Sequence, residues 1–167
     1  TDPDVPPLPA LGIDPPTVSI IVRVSDSPFA GKEGTLVTTR HIRSRFEKER
    51  ETNVGLHVEE LSSEEAYKLS GRGELHLSVL LEDMRREGFE LQVSRPEVIL
   101  RETKGMQEEP IEQVIIDIPD TFTGTVIDML SRRKGELIDI RNREGHARLE
   151  FTVPTRGLLG FQGDFLI

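Results

Sequence analysis

The spacing of apolar residues between Thr17 and Arg95 switches between a period of two and a period near 3.6, and this order constrains the fold more than any other feature. Runs of period two predict strands, whereas apolar residues at three- and four-residue steps predict helices. The predicted order is strand, helix, strand, strand, helix, strand, over residues 18–24, 35–50, 54–58, 66–70, 77–84 and 89–93. We therefore expect one sheet with two helices on one face.

The same order restarts after residue 110. A strand is predicted at 114–118, a helix at 126–130, and a hairpin around the turn at 142–145. Thr155 is predicted to be the N-cap of a further helix. The sequence therefore predicts the α+β class, with two tandem ferredoxin-like (βαββαβ) domains whose sheets are antiparallel, the second lacking its last strand. An unpaired sheet edge of that kind is expected to associate with another chain.

Proline marks the first predicted boundary, because six of the eleven prolines lie within residues 1–16. Paired prolines favour an extended backbone without donors, so we interpret this stretch as a connector from an upstream domain. The first ferredoxin-like domain is assigned to residues 17–95, a linker to 96–110, and the truncated second domain to 111–167.

The chain has 21 Lys and Arg residues against 30 Asp and Glu, a formal net charge of −9, which disfavours a simple DNA-binding domain. The charge is nevertheless segregated, since six basic and three acidic side chains lie between Gly31 and Arg50. There is no cysteine, which excludes disulfides and thiolate sites and is consistent with a reducing compartment. The longest apolar run, around Ile20-Ile21-Val22, is far shorter than a membrane-spanning helix.

No motif indicates catalysis, a cofactor or a metal. Gly31-Lys32 is followed by Glu33 rather than Ser or Thr, so it is not a phosphate-binding P-loop. Gly71-Arg72-Gly73 precedes a helix and could face an anion, although a tight turn is the favoured interpretation. The histidines lack metal-ligand spacing, and His76 is interpreted as structural rather than as a general base; they are His41, His57, His76 and His146.

Two groups of basic residues are the candidates for binding. Arg132, Arg133 and Lys134 end a predicted helix, where cations could contact phosphates but also complement the helix dipole without any ligand. A second group projects to one side of the first helix, where a solvated face is the alternative to an RNA surface; it comprises Arg40, Arg43 and Arg50. With one Tyr and no Trp, recognition of RNA is expected to depend on phosphates and shape rather than on base stacking.

Several longer runs resemble one family. The run Ser70-Gly71-Arg72-Gly73-Glu74-Leu75-His76-Leu77 resembles the third domain of elongation-factor-G-like translational GTPases. More specific runs resemble the BipA/TypA subfamily, and they are Ser27-Pro28-Phe29-Ala30-Gly31-Lys32-Glu33-Gly34, residues 84–91, residues 93–96 and Pro154-Thr155-Arg156-Gly157-Leu158-Leu159-Gly160-Phe161. Together these runs extend the resemblance over essentially the whole chain, as the third and fifth domains of such a factor.

The resemblance implies a cytoplasmic, ribosome-associated GTPase linked to large-subunit assembly and to growth under stress. GTP and Mg²⁺ would bind an upstream domain, so this part of the protein would be non-catalytic and hold no cofactor. The implied partners are rRNA and ribosomal proteins near the factor-binding site, with contact through Arg132, Arg133 and Lys134. The alternative from another class is a tandem ACT-like regulatory module that binds a small effector.

Overall fold

The computed structural model describes residues 12, 14–32, 34–61 and 65–166. Most of the predicted proline-rich connector at 1–16 therefore lies outside the described residues. Pro15 and Pro16 lead into the first strand without regular secondary structure.

The first half of the chain forms two helices and four strands of a five-stranded sheet. Its elements are β1 (Val18–Val24), α1 (Thr39–Thr52), β2 (His57–Leu61), β3 (Ala66–Gly71), α2 (Glu74–Arg86) and β4 (Leu91–Val93). The strand order is β2-β3-β1-β4, and β1 runs antiparallel to both neighbours, with Val22 opposite Tyr67 and Val93. This is the predicted ferredoxin-like arrangement, and the prediction is confirmed.

Both helices bury one apolar stripe against this sheet. Ile42 and Phe46, one turn apart on α1, are buried, and the Phe46 ring meets Tyr67 edge-on with centroids 5.2 Å apart. The buried residues of α2 are Leu77, Leu80 and Met84. Each such side chain contributes about 1.5–3 kcal/mol through its removal from water, so these stripes fix the helices on the sheet.

The first helix begins later than predicted. The apolar spacing suggested a start near residue 35, but α1 begins at Thr39 because the Thr38 hydroxyl accepts the His41 N–H at 3.4 Å. Leu36 lies before the helix and forms an isolated bridge with Phe89. Leu36, whose spacing had suggested a helical position, therefore packs at the edge of the first core from outside the helix.

The predicted linker at 96–110 contains regular structure. Its start, β5 (Glu97–Val98), pairs with β1. A hairpin follows, formed by β6 (Arg101–Thr103) and β7 (Met106–Glu108). The two loop residues, Lys104 and Gly105, both have positive φ, as the tight turns of two-residue hairpins require. The segment is therefore more ordered than the extended connector expected from the sequence.

The second half repeats the first without a fourth strand among its described residues. Its elements are β8 (Ile111–Pro119), α3 (Thr123–Arg132), β9 (Glu136–Arg143), β10 (His146–Pro154), α4 (Thr155–Leu158) and α5 (Phe161–Phe165). The strand order is β8-β10-β9, antiparallel, with a register shift between Glu150 and Phe151. Within the described chain β8 pairs only with β10, so its other edge is open, and association through that edge stays a prediction.

Thr155 does not cap a helix as predicted. It is the first residue of α4 and is buried; its hydroxyl donates to Glu112 Oε1 at 2.7 Å, and the Pro110 carbonyl lies 3.2 Å away. The predicted helix is also divided, because Gly160 has φ +73° and separates α4 from α5. None of the helices described is long and apolar enough to cross a membrane.

Candidate functional site

The three basic residues at the end of α3 have different surroundings. Arg132 is the last helical residue, and its side chain is 79% exposed, with Asp128 one turn earlier as an ion-pair partner at 3.0 Å. Lys134 is exposed and has no side-chain partner among the described residues. These two cations are therefore available to an external anion.

Arg133 is held inside the second half. Its Nη1 donates to the carbonyls of Gly157 and Leu159 at 2.9 and 3.0 Å, and its Nη2 pairs with Asp164. The guanidinium also lies 5.6 Å from the centroid of the Phe161 ring. With the side chain only 23% exposed, these contacts assign Arg133 to positioning the α4–α5 segment.

Lys134 occupies a backbone position that usually favours glycine. At the end of α3 the Lys134 N–H donates to Ser131 O, and Gly135 N–H reaches back to Leu130 O at 2.8 Å. The end of α2 has the same pair of bonds, with Gly88 at φ +93° in the equivalent place. Lys134 has φ +66°, a left-handed conformation that costs a side-chain-bearing residue about 1–2 kcal/mol.

The basic residues of α1 also differ in whether they have a partner within the protein. Arg40 and Arg50 are exposed, and neither has a side-chain partner in the part of the chain that the structure describes. Arg43 pairs with Glu60, and its Nε lies 3.4 Å from the Tyr67 hydroxyl. The hydrogen bond to Tyr67 and the pairing with Glu60 raise the pKa of Arg43 above its ordinary value. Arg40 and Arg50 can therefore meet an external anion, whereas Arg43 is already neutralised by an internal partner.

A chain of polar contacts joins the two helices of the first half, and the sequence did not reveal it. Arg45 donates to Glu87 at 2.8 Å and to Glu49 at 2.7 Å, and Asn53 Nδ2 donates to Glu49 at 2.9 Å. Desolvation opposes ionisation of Glu49, but hydrogen bonds from Arg45 and Asn53 outweigh it and lower the Glu49 pKa. The Glu87 hydrogen bond likewise raises the pKa of Arg45.

His76 ends this chain of contacts in a structural role. The Arg72 N–H donates to His76 Nδ1 at 3.2 Å, so Nδ1 must be the unprotonated nitrogen. Nε2 then carries the proton and donates to Asn53 Oδ1 at 3.0 Å. Both ring nitrogens are therefore hydrogen-bonded within the protein, and His76 links the start of α2 to the end of α1.

The two glycine-containing runs meet between the halves of the chain. Glu74, in the first turn of α2, accepts the Gly160 N–H at 2.7 Å. Leu159 packs against the core of the first half, while Leu158 packs against the core of the second. Arg156, in the second of these runs, pairs with Glu109, just before β8, at 2.7 Å. The runs around Glu74 and Gly160 therefore form the contact between the two halves.

The described residues contain no cluster of acidic and histidine side chains suited to a metal.

Comparison with known proteins agrees with this architecture. The family described as elongation factor G C-terminus matches residues 107–167. Large ribosomal subunit assembly factor BipA of Bacillus subtilis (strain 168) is 53% identical over 161 residues, which cover 96% of this chain and 26% of that protein. The protein of the same name from Synechocystis sp. is 50% identical over 99% of this chain and 28% of its own length. The chain belongs to the BipA family.

This BipA-family chain spans about a quarter of the length of the curated relatives it matches. A crystal structure of a protein from Thermus thermophilus aligns with a TM-score of 0.51 and 13% identity, covering 92% of this chain and 38% of that one. At that identity the likeness concerns the fold alone. It extends over both halves and supports the tandem α+β arrangement.

Proposed function

We propose that this chain is the non-catalytic, ribosome-binding portion of a BipA-type assembly factor for the large ribosomal subunit. The observation that carries the proposal is identity of 50% or more to factors of that name along nearly the whole chain. In the intact protein, GTP and Mg²⁺ would bind outside this portion, and the factor would act in the cytoplasm in ribosome assembly and stress-adapted translation. The relatives' name favours this function over the effector-binding alternative.

Within this proposal the cations divide into two roles. Arg132 and Lys134 contact rRNA phosphates or acidic ribosomal-protein groups, because they are exposed and lie two residues apart at a helix end. Arg133, which lies between them in sequence, holds the end of α3 against the α4–α5 segment through its bonds to the Gly157 and Leu159 carbonyls. Arg40 and Arg50 form a second contact region, to which Arg43 contributes only if its pairing with Glu60 opens.

Co-sedimentation of the intact protein with large ribosomal subunits at several salt concentrations tests the assignment. Replacing Arg132 and Lys134 with alanine should weaken binding and lower the slope of log affinity against log salt by about 2, roughly one for each phosphate that is no longer neutralised. Arg86→Ala is a matched control, since Arg86 is an exposed helical arginine on α2 with an acidic partner. An unchanged slope in the double variant would refute this role for the two cations.

A further inference from the structure

Hydrogen bonds join residues 25–32, in the loop between β1 and α1, to one another. Ser25 Oγ accepts the Ser27 N–H, and Ser27 in turn accepts from the Phe29 N–H at its hydroxyl and from the Ala30 N–H at its carbonyl. The Lys32 N–H donates to Phe29 O at 3.3 Å. Four successive bonds of this kind define the backbone around Phe29.

Glu90 fastens this loop to the body of the first half. Its two carboxylate oxygens accept the N–H groups of Gly31 and Gly34 at 2.7 and 2.6 Å. The backbone N–H groups of Gly31 and Gly34 therefore donate to a carboxylate of the same chain. This contact ties the backbone at Gly31 and Gly34 to Glu90, next to β4.

The anchored loop presents an aromatic ring to solvent. Phe29 is 65% exposed, so the loop forgoes most of the stabilisation that burial of a phenylalanine provides. The Lys32 ammonium lies 4.5 Å from the ring centroid, which places a cation against the ring. Among the described rings only Phe161 has a similar cation, and Phe161 is buried.

The surroundings of Phe29 suit a nucleobase better than a protein. A cleft of about 560 Å³ lies beside the ring, with Arg85 and Glu90 on its wall. A stable protein interface needs roughly 1,000 Å² with a cluster of apolar anchors. Of the large apolar side chains that line this cleft, Phe29 alone is exposed, since Phe89 is buried and Leu91 is half-buried. A flat ring with an adjacent cation matches the base and the phosphate of one unpaired nucleotide.

We propose that Phe29 is a stacking site for an unpaired base of RNA, with Lys32 at the neighbouring phosphate. This inference rests on the proposed ribosomal function, because that function supplies an RNA partner. It goes beyond the expectation that RNA recognition here would depend on phosphates and shape, because the structure exposes one ring beside a cation.

Fluorescence tests the proposal directly, because the chain has no tryptophan. Phe29→Trp keeps a stacking surface and adds a single reporter. The matched control is Phe122→Trp, at another exposed phenylalanine on whose ring the described residues place no cation. A short single-stranded RNA should quench the indole fluorescence of the Phe29→Trp variant and not that of the control, and the same oligonucleotide with abasic sites should quench neither.

Two further substitutions at the same position measure the contribution of the ring to affinity. Phe29→Ala should weaken RNA binding about five- to 150-fold, because stacking of one base on an aromatic side chain contributes that much. Phe29→Tyr should bind as the unmodified chain does, since it keeps the flat ring. Unchanged affinity of Phe29→Ala would overturn the stacking site.

Lys32→Ala separates the two parts of the site. It should lower the salt slope of RNA binding by about 1 and, combined with Phe29→Trp, leave the quenching intact at saturation. Equal quenching of the Phe29→Trp and Phe122→Trp variants would overturn the stacking site. A blue shift of the Phe29→Trp emission with ribosomal proteins, without quenching by RNA, would overturn it in favour of a protein contact. Failure of the intact protein to sediment with ribosomes would instead refute the proposed function.

Discussion

Replacing Arg133 with alanine should destabilise the second half of the chain, although its neighbour Arg132 should tolerate the same change. Arg133 donates from one charged group to two carbonyls at 2.9 and 3.0 Å and also pairs with Asp164. Hydrogen bonds from charged groups contribute about 1.5–3 kcal/mol each when shielded, and partial exposure reduces this, so the total loss is about 2–4 kcal/mol. Arg132 has only an exposed pair, for which we expect a loss below about 0.5 kcal/mol.

Urea unfolding with two probes can measure this difference. Far-UV circular dichroism reports both halves, whereas tyrosine fluorescence reports the first half alone, since Tyr67 is the single tyrosine and lies in its core. With a slope of about 1–3 kcal/mol per molar urea, Arg133→Ala should lower the dichroism midpoint by on the order of 1 M. Tyr67 fluorescence should change less, because its core is formed mainly by the first half.

Arg133→Lys is the control that separates charge from geometry. A lysine keeps the positive charge, but its compact ammonium cannot bond both carbonyls and Asp164 as the planar guanidinium does, so the stability should be intermediate. The positioning role assigned to Arg133 is wrong if the free energy of unfolding of Arg133→Ala lies within about 0.5 kcal/mol of that of the unmodified chain. It is also wrong if Arg132→Ala lowers that free energy equally.

Four further substitutions have defined outcomes in the same unfolding assay. Gly157→Ala should destabilise by about 2 kcal/mol or more, because a Cβ there would lie 2.2 Å from the Arg133 carbonyl oxygen; Gly124→Ala, with no atom within 4 Å, should stabilise α3 by about 0.5–1 kcal/mol. Lys134→Gly should stabilise by about 1 kcal/mol by relieving the left-handed backbone, while ribosome sedimentation weakens. Glu82, whose pKa Arg85 and then Arg86 lower to about 2, contributes stability that is lost as the pH falls from about 4.5 to about 2; Glu82→Gln should flatten the acid side of the stability curve in that window.

The strands and helices could be predicted from the sequence because their apolar periods are local. Val18, Val22 and Phe46 lie in the first core, as their spacing indicates. The hairpin at 101–108 was missed because its residues are all exposed and carry no apolar alternation. Both residues of its turn, Lys104 and Gly105, have positive φ. A Lys-Gly pair predicts such a turn less strongly than Asn-Gly does, so the turn is only weakly indicated by the sequence.

The basic triplet shows why the candidate site could be predicted only in part. Adjacent positions at a helix end point in different directions, and the left-handed turn at Lys134 separates its side chain further from Arg133. The partners of Arg133 lie 24 to 31 residues away along the chain, so no local pattern reveals them. Charge alone therefore indicates a candidate surface, but it does not indicate that Arg133 is held by contacts within the protein.

The contacts around Leu159 connect this surface with the first half of the chain. Arg133 holds the Leu159 carbonyl, the Leu159 side chain packs into the first core, and the next residue donates its N–H to Glu74. The run that includes Gly71-Arg72-Gly73 and the run that includes Gly160 thus link the two halves of the chain. Since Arg132 and Lys134 flank Arg133, the end of α3 is linked to the first turn of α2 through Leu159 and the hydrogen bond between Gly160 and Glu74.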